Sequence, residues 1–140
     1  MTRWVVDASV AVKWLLPETF AARADAIAAA ENDLLAPALL PVEVGNALVK
    51  RVRAGALNST EAAGLFRDFQ EIAVDYSPVE PLLETALTMA LAHRASLYDC
   101  LYLALAEASA EKLVTADRRF YDSIQRGPLA ASIVWIEDAV

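Results

Sequence analysis

The sequence is short of the residues that several common chemistries require. Its one cysteine, Cys100, has no partner for an internal disulfide, so the chain suits a reducing compartment. Cys100 follows Asp99 inside an apolar run and reads as core filler. With that cysteine and one histidine, His93, there is no zinc set to build, and no serine- or cysteine-based triad assembles around them. His93 reads as structural, placed where a helix C-terminus favours positive charge. The four glycines form no phosphate loop, which leaves P-loop and dinucleotide-binding folds unsupported. Positive charge is scarce too: 12 Lys and Arg stand against 19 Asp and Glu, for a net charge of −7. That balance argues against nonspecific nucleic-acid binding through a basic surface. The objection weakens if acids cluster around divalent cations, since two such ions would cancel about four charges.

Long uninterrupted apolar runs are also missing. The stretch from Leu34 to Val49 is broken by two prolines, Glu43 and Asn46, and cannot span a membrane. The N-terminal residues lack the pattern of a signal peptide, so a cytoplasmic location is expected. What the chain has in plenty is apolar surface: 57% hydrophobic residues in 140, with a mean hydropathy of +0.36. That suits one globular domain over residues 1–140, with surplus apolar area for a subunit or partner interface.

Short apolar runs alternate with helical patterns. Trp4-Val5-Val6 reads as a buried strand ending at Asp7, with Ser9 able to cap a helix through Trp14. Residues 19–31 are alanine-rich and helical, and Leu34-Leu35-Ala36 is a second strand stopped by Pro37. Pro41 suits the first turn of a helix running to Val52 and ended by Gly55. Asn58 to Glu61 has capping-box spacing and opens a helix to about Ile72. Val74-Asp75-Tyr76 reads as a third strand. Ser77-Pro78-Val79-Glu80 then signals a helix start, and the helix runs to about His93. Ser96 starts another, ending near Ser109. Lys112 to Thr115 is a fourth strand, Arg118 to Ile124 a short helix, and Ile133 to Trp135 a last strand. Such alternation implies parallel crossovers, hence an α/β three-layer sandwich with a central parallel sheet flanked by helices.

Four acids are anomalous in this frame. Asp7 and Asp117 stand at or just beyond the carboxyl ends of strands, where open α/β sheets bind ligands. Their structural readings are a turn residue for Asp7 and a helix cap for Asp117. Glu43 lies among Leu39, Leu40, Val42, Val44, Ala47 and Leu48, where an unpaired buried charge is costly. Asn46 shares its face, and a solvent-facing stripe is the alternative. Asp99 interrupts Leu97 to Leu103, and Ser96-x-x-Asp99 also matches a capping box. If the four meet, each like-charge pair about 4 Å apart costs roughly 4 kcal/mol at an effective dielectric of about 20. Either protons or cations must then neutralise them, and all-oxygen ligands favour Mg²⁺ or Mn²⁺. Such ions activate water and stabilise the leaving oxygen of a phosphodiester.

These residues carry a resemblance. Val5-Val6-Asp7-Ala8-Ser9, Pro41 to Leu48, Leu97 to Ala106, and Leu113-Val114-Thr115-Ala116-Asp117 with Phe120 resemble the motifs of PIN-domain ribonucleases. The match is nearest to the VapC-type toxins of toxin–antitoxin pairs, and it spans essentially the whole chain in the family's order. It implies a PIN fold and an Mg²⁺- or Mn²⁺-dependent endoribonuclease whose metal-binding and catalytic acids are Asp7, Glu43, Asp99 and Asp117. Ser9, Asn46 and Thr115 match supporting polar positions. The resemblance further implies an RNA substrate, a homodimer, and inhibition by a VapB-type antitoxin. Cys100 stands where relatives often carry alanine. Asp122 is a possible accessory acid, but a helix-surface charge is the preferred reading.

The competing reading is a PIN-like binding module that sequesters RNA or a protein with catalysis weak or lost, and retention of all four acids argues against it. A haloacid-dehalogenase-type phosphatase would need a second aspartate where Ser9 stands. Lys13, Lys50, Arg51, Arg53, Arg118 and Arg119 are candidates for RNA backbone contact, with an ordinary solvated charge the alternative reading for each. The helices from Pro41 to Ile72, with Leu57, Leu65, Phe66 and Phe69, are expected to offer a face to a second subunit or an antitoxin helix.

Overall fold

A computed structural model describes residues 2–139. Its five strands are β1 Arg3–Val6, β2 Asp33–Pro37, β3 Asp75–Ser77, β4 Lys112–Thr115 and β5 Ile133–Trp135. All pair in parallel, in the spatial order β3-β2-β1-β4-β5. The three central strands are apolar runs, not alternating ones, because helices cover both of their faces: Val5, Val6, Leu113 and Val114 are wholly buried.

Seven helices flank the sheet: α1 Ala8–Ala11, α2 Ala21–Ile27, α3 Leu40–Arg53, α4 Ser59–Gln70, α5 Leu83–His93, α6 Leu97–Ser109 and α7 Arg118–Gln125. The connections from β1 to β3 step towards one edge, and those from β3 to β5 step back. Right-handed crossovers then put α1–α4 on one face and α5–α7 on the other. The arrangement is the expected three-layer sandwich. Among the second set, α6 packs across β1, β2 and β4. Every residue from Cys100 to Ala106 on it is buried, so it is apolar all round. Burial pushes the Cys100 thiol up to about 11, which leaves it an inert space-filler. Among the described residues no helix is long and apolar enough to cross a membrane.

Several boundaries differ from expectation for identifiable reasons. Ser9 does not cap α1; Asp7 occupies the N-cap position, and the Ser9 hydroxyl is used elsewhere. The helix gives way after Ala11 to a 3-10 turn, Val12–Trp14. The α2 helix is shorter than residues 19–31 because Phe20 is left-handed (φ 68°), which blocks extension upstream. Downstream, the Asn32 amide donates to the carbonyls of Ala26 and Ile27 and closes the helix. Ser77 belongs to β3, in register with Pro37, so it is not available to cap α5. Pro81 lies in a 3-10 turn, Glu80–Leu82, and α5 begins after it. By contrast, the Asn58–Glu61 capping box forms with both hydrogen bonds. Gly55 takes the left-handed conformation (φ 81°) that suits it to follow α3.

The apolar surplus is distributed differently from the sequence expectation. Phe69 is core, stacked on Trp14, and Leu57, Leu65 and Phe66 are half-buried. The large apolar side chains that reach solvent include Val42 and Val49 on α3 and a stripe of Leu83, Leu87 and Leu91 along α5.

Candidate active site

Neighbouring strands β1 and β4 are followed by connections that leave in opposite directions. The crevice beyond their carboxyl ends is the topological switch point of the sheet, where such folds bind ligands. Asp7 ends β1 and Asp117 follows β4 by two residues, so the fold places both acids there.

Asp7 is anchored by its backbone and by its side chain. Its N–H extends the β1–β4 ladder to the Val114 carbonyl, and its own carbonyl accepts from Val10 and Ala11 to start α1. Only 3% of the residue is exposed. One carboxylate oxygen, Oδ2, accepts from the hydroxyls of Ser9 (2.8 Å) and Thr115 (2.7 Å). Each hydroxyl in turn accepts from the loop after β4: Ser9 from the Ala116 N–H (2.9 Å), Thr115 from the Asp117 N–H (3.1 Å). Two short relays therefore lock the loop carrying Asp117 to the Asp7 carboxylate. The other oxygen, Oδ1, takes no hydrogen bond from any described residue. Among the described residues no fully buried side-chain polar atom lacks a partner, so Oδ1 faces accessible space.

Burial raises the Asp7 carboxyl to about 6, against the lowering effect of the Thr115 and Ser9 hydroxyls; the charges of Glu43 and Asp117 add to the rise. Asp99, in the first turn of α6, is raised to about 7, first by burial and then by the charge on Asp7, with Asp117 and Glu43 contributing further. Ser96 caps α6 by accepting from the Asp99 N–H (3.0 Å). The reciprocal half of a capping box, from the Asp99 carboxylate to the Ser96 N–H, is not formed. The cap therefore does not occupy that carboxylate.

Glu43 lies half-buried on α3, where its Oε1 accepts a 2.6 Å hydrogen bond from the Tyr102 hydroxyl. Tyr102 is fully buried on α6, and burial together with Glu43 holds its phenol far above the ordinary range. It is a permanent donor. Sequence reasoning missed Tyr102, although it stands three residues after Asp99, on the same side of one helix. Asp117 does cap α7, accepting from the Phe120 N–H (3.2 Å) through Oδ1, so its structural and site readings hold together. Asn46 is exposed and shares a groove of about 880 Å³ with Ser9, Glu43 and Asp117.

Glu43 and Asp117 are thus near enough to Asp7 and Asp99 for their charges to raise those two carboxyls, yet among the described residues no three such side chains form a ready-made metal clasp. The donor set nevertheless fits a hard divalent cation. It is all oxygen, its shared charge calls for neutralisation, and Asp7 keeps Oδ1 open while Oδ2 is held.

The basic residues divide into two groups. Lys13 and Arg51 both pair with Glu18, and Arg118 lies over the Trp135 ring (3.9 Å) and pairs with Asp122 (3.7 Å). Asp122 is therefore a surface partner of Arg118. Lys50, Arg53 and Arg119 are exposed, with no ion pair to any described residue.

Comparison with known proteins identifies the family and the fold. The PIN domain family matches over residues 4–123. Ribonuclease VapC3 of Pyrobaculum aerophilum is 33% identical over 117 residues, covering 82% of this chain and 89% of that protein. Ribonuclease VapC9 of Mycobacterium tuberculosis is 35% identical over 123 residues, covering 86% of this chain and 91% of that protein. The chain belongs to the PIN-domain family, among the VapC ribonucleases. Its fold superposes on the crystal structure of PAE2754 from Pyrobaculum aerophilum with a TM-score of 0.67 at 26% identity, covering 97% of this chain and 85% of that one. It also superposes on VapC20 of Mycobacterium tuberculosis, a sarcin-ricin loop cleaving toxin, with a TM-score of 0.67 at 16% identity. That match covers 86% of this chain and 94% of the other.

Proposed function

We propose that residues 1–140 act as one PIN domain, an endoribonuclease that hydrolyses RNA phosphodiester bonds with Mg²⁺ or Mn²⁺ as the toxin of a VapBC-like pair. The observation that carries this reading is the Asp7 carboxylate at the switch point, fixed through one oxygen and open through the other. Asp7, Asp99 and Asp117 would hold the ion or ions, with Glu43 completing the site. When bound, the metal supplies a water of lowered pKa and a positive charge for the leaving oxygen.

The chain's own groups supply orientation. Ser9 and Thr115 hold Asp7 in one rotamer and the following loop in one position. Tyr102 fixes Glu43 so that its second oxygen can take a proton from water or bind through it. Asn46 offers an amide to ligand or phosphate from the groove beside Glu43. In the cytoplasm a VapB-type antitoxin would hold the enzyme inactive. An apolar recess of about 350 Å³ between α3 and α4, lined by Val49, Val52 and Phe66, suits an antitoxin helix. The leucine stripe on α5 suits a homodimer.

The direct test is cleavage of a panel of structured RNAs, a sarcin–ricin hairpin among them, by wild type and Asp7→Asn. Wild type should cut with Mg²⁺ or Mn²⁺ and stop with chelator, while Asp7→Asn should lose activity by at least a hundredfold. Equal cutting by the two proteins would overturn the site assignment.

A further inference from the structure

A second groove, of about 950 Å³, runs from Asp117 between the α5–α6 turn and the C-terminal end of α7. Its walls carry His93, Arg94, Arg119 and Arg126, with hydroxyls from Ser96 and Ser123. None of the three arginines makes an ion pair with a described residue, and all three are exposed. Arg3, Lys13, Arg51 and Arg118 are held by acids, and the unpaired Lys50 and Arg53 lie outside this groove. A chain of net charge −7 therefore keeps a group of free cations along one channel that opens at Asp117.

Two local features accompany this grouping. Arg94 is left-handed (φ 54°) immediately after α5, a position that glycine fills with less strain, yet an arginine side chain stands there. Gly127 lies against the His93 ring so closely that a Cβ would sit 2.7 Å from the ring's Cε1. Bare backbone at 127 is what leaves the imidazole its place in the wall.

We propose that this groove carries the phosphate backbone of single-stranded RNA away from the carboxylate site, with Arg94, Arg119 and Arg126 as its phosphate contacts and His93 beside them. The inference rests on the ribonuclease reading and adds a path for the substrate. Backbone is the chemistry that fits, because the walls supply cations and the Ser96 hydroxyl, the Ser123 hydroxyl being spent on the Phe120 carbonyl (2.7 Å), while the Phe120 ring is buried and offers no stacking face. An acidic peptide would meet the same cations. RNA is favoured because Asp117 borders both this groove and the one holding Glu43 and Asn46, so one strand can lie across the site.

The test uses a fluorescein-labelled single-stranded RNA oligonucleotide, read by anisotropy in Mg²⁺ across a salt series, with Asp7→Asn present throughout to prevent cutting. Adding Arg94→Asn, Arg119→Ala and Arg126→Ala should weaken binding by at least tenfold. The slope of log affinity against log salt should flatten by about 2, at roughly 0.7 per phosphate neutralised on a single strand. Asparagine tolerates the left-handed backbone at 94, and Arg119→Lys with Arg126→Lys should restore most of the binding. With the carboxylates intact, the triple variant should lose kcat/KM mainly through KM. Unchanged affinity and slope, or loss of binding to an acidic antitoxin peptide with RNA binding retained, would overturn the groove assignment. Salt-dependent probe binding by a wild-type chain that cuts no RNA would instead leave the groove standing and remove the ribonuclease reading.

Discussion

Tyr102 donates its hydroxyl to Glu43 across 2.6 Å, joining a fully buried phenol on α6 to an acid on α3. A hydrogen bond to a charged group is worth about 1.5–3 kcal/mol, and here it also selects one carboxylate rotamer. Tyr102→Phe keeps the ring and removes only the donor. We expect kcat to fall about ten- to a hundredfold with KM little changed, because Glu43 loses its orientation and not its presence. Steady-state cleavage kinetics with parallel urea unfolding separate the two effects. A stability loss with unchanged kcat would mean that Tyr102 serves packing alone.

Thr115 is the polar residue on which Asp7 and Asp117 both depend. Its hydroxyl donates a hydrogen bond to the Asp7 carboxylate and accepts one from the Asp117 N–H. Thr115→Val preserves shape but leaves the buried Asp7 carboxylate and the half-buried Asp117 N–H each one partner short, an expected loss of about 2–3 kcal/mol. Thr115→Ser should recover most of it. Losing the donor should also raise the Asp7 carboxyl further, so metal affinity should drop more at pH 6 than at pH 8. Isothermal titration with Mn²⁺ at both pH values checks this, and equal affinities in wild type and Thr115→Val would refute it.

The α5 stripe of Leu83, Leu87 and Leu91 recurs at i, i+4 and i+8, so it forms one continuous face, and Leu91 is 75% exposed. Solvated surfaces seldom keep three leucines in register. If this face joins two copies, Leu87→Glu with Leu91→Glu should yield a well-folded monomer at micromolar concentration where wild type is a dimer. Sedimentation equilibrium decides it. A wild-type monomer would remove the homodimer from the proposal.

Much of this was legible in advance because the signals were local. The ends of β4 and β5 and the Asn58 capping box follow from short apolar runs and fixed offsets. Asp7 and Asp117 were placed by strand ends, and Glu43 and Asp99 stood out as charges within apolar helices. What escaped depended on contacts distant in sequence. Ser9 reads as a cap until β4 brings Thr115 and Ala116 beside it, more than a hundred residues on. Tyr102 looks like core until α3 packs near it. Phe69 looks like interface until Trp14 covers it. His93 offers only a helix-end signal until Gly127 leaves room for its ring.

The clustered acids make a sharper prediction about pH. Asp7 and Asp99 have folded-state values of about 6 and about 7, above the ordinary carboxyl value of 3.8. Between these limits the folded chain holds more protons than the unfolded chain, so stability falls as pH rises through the folded values. At about 1.4 kcal/mol per pH unit, the Asp7 displacement alone amounts to about 3 kcal/mol. The metal-free protein should therefore melt at higher temperature near pH 5 than near pH 8. Removing one charge by Asp99→Asn should raise the metal-free melting temperature at pH 8 while lowering cleavage by at least a hundredfold, a trade of stability for function. Mg²⁺ or Mn²⁺ should restore the wild type at pH 8 and do little at pH 5, where Asp7 and Asp99 are largely protonated, since a ligand stabilises only as far as it binds the folded state. Calorimetric melts with chelator and with metal, at both pH values, read all three effects. A melting temperature indifferent to pH and to metal would mean that these acids do not form one electrostatic unit.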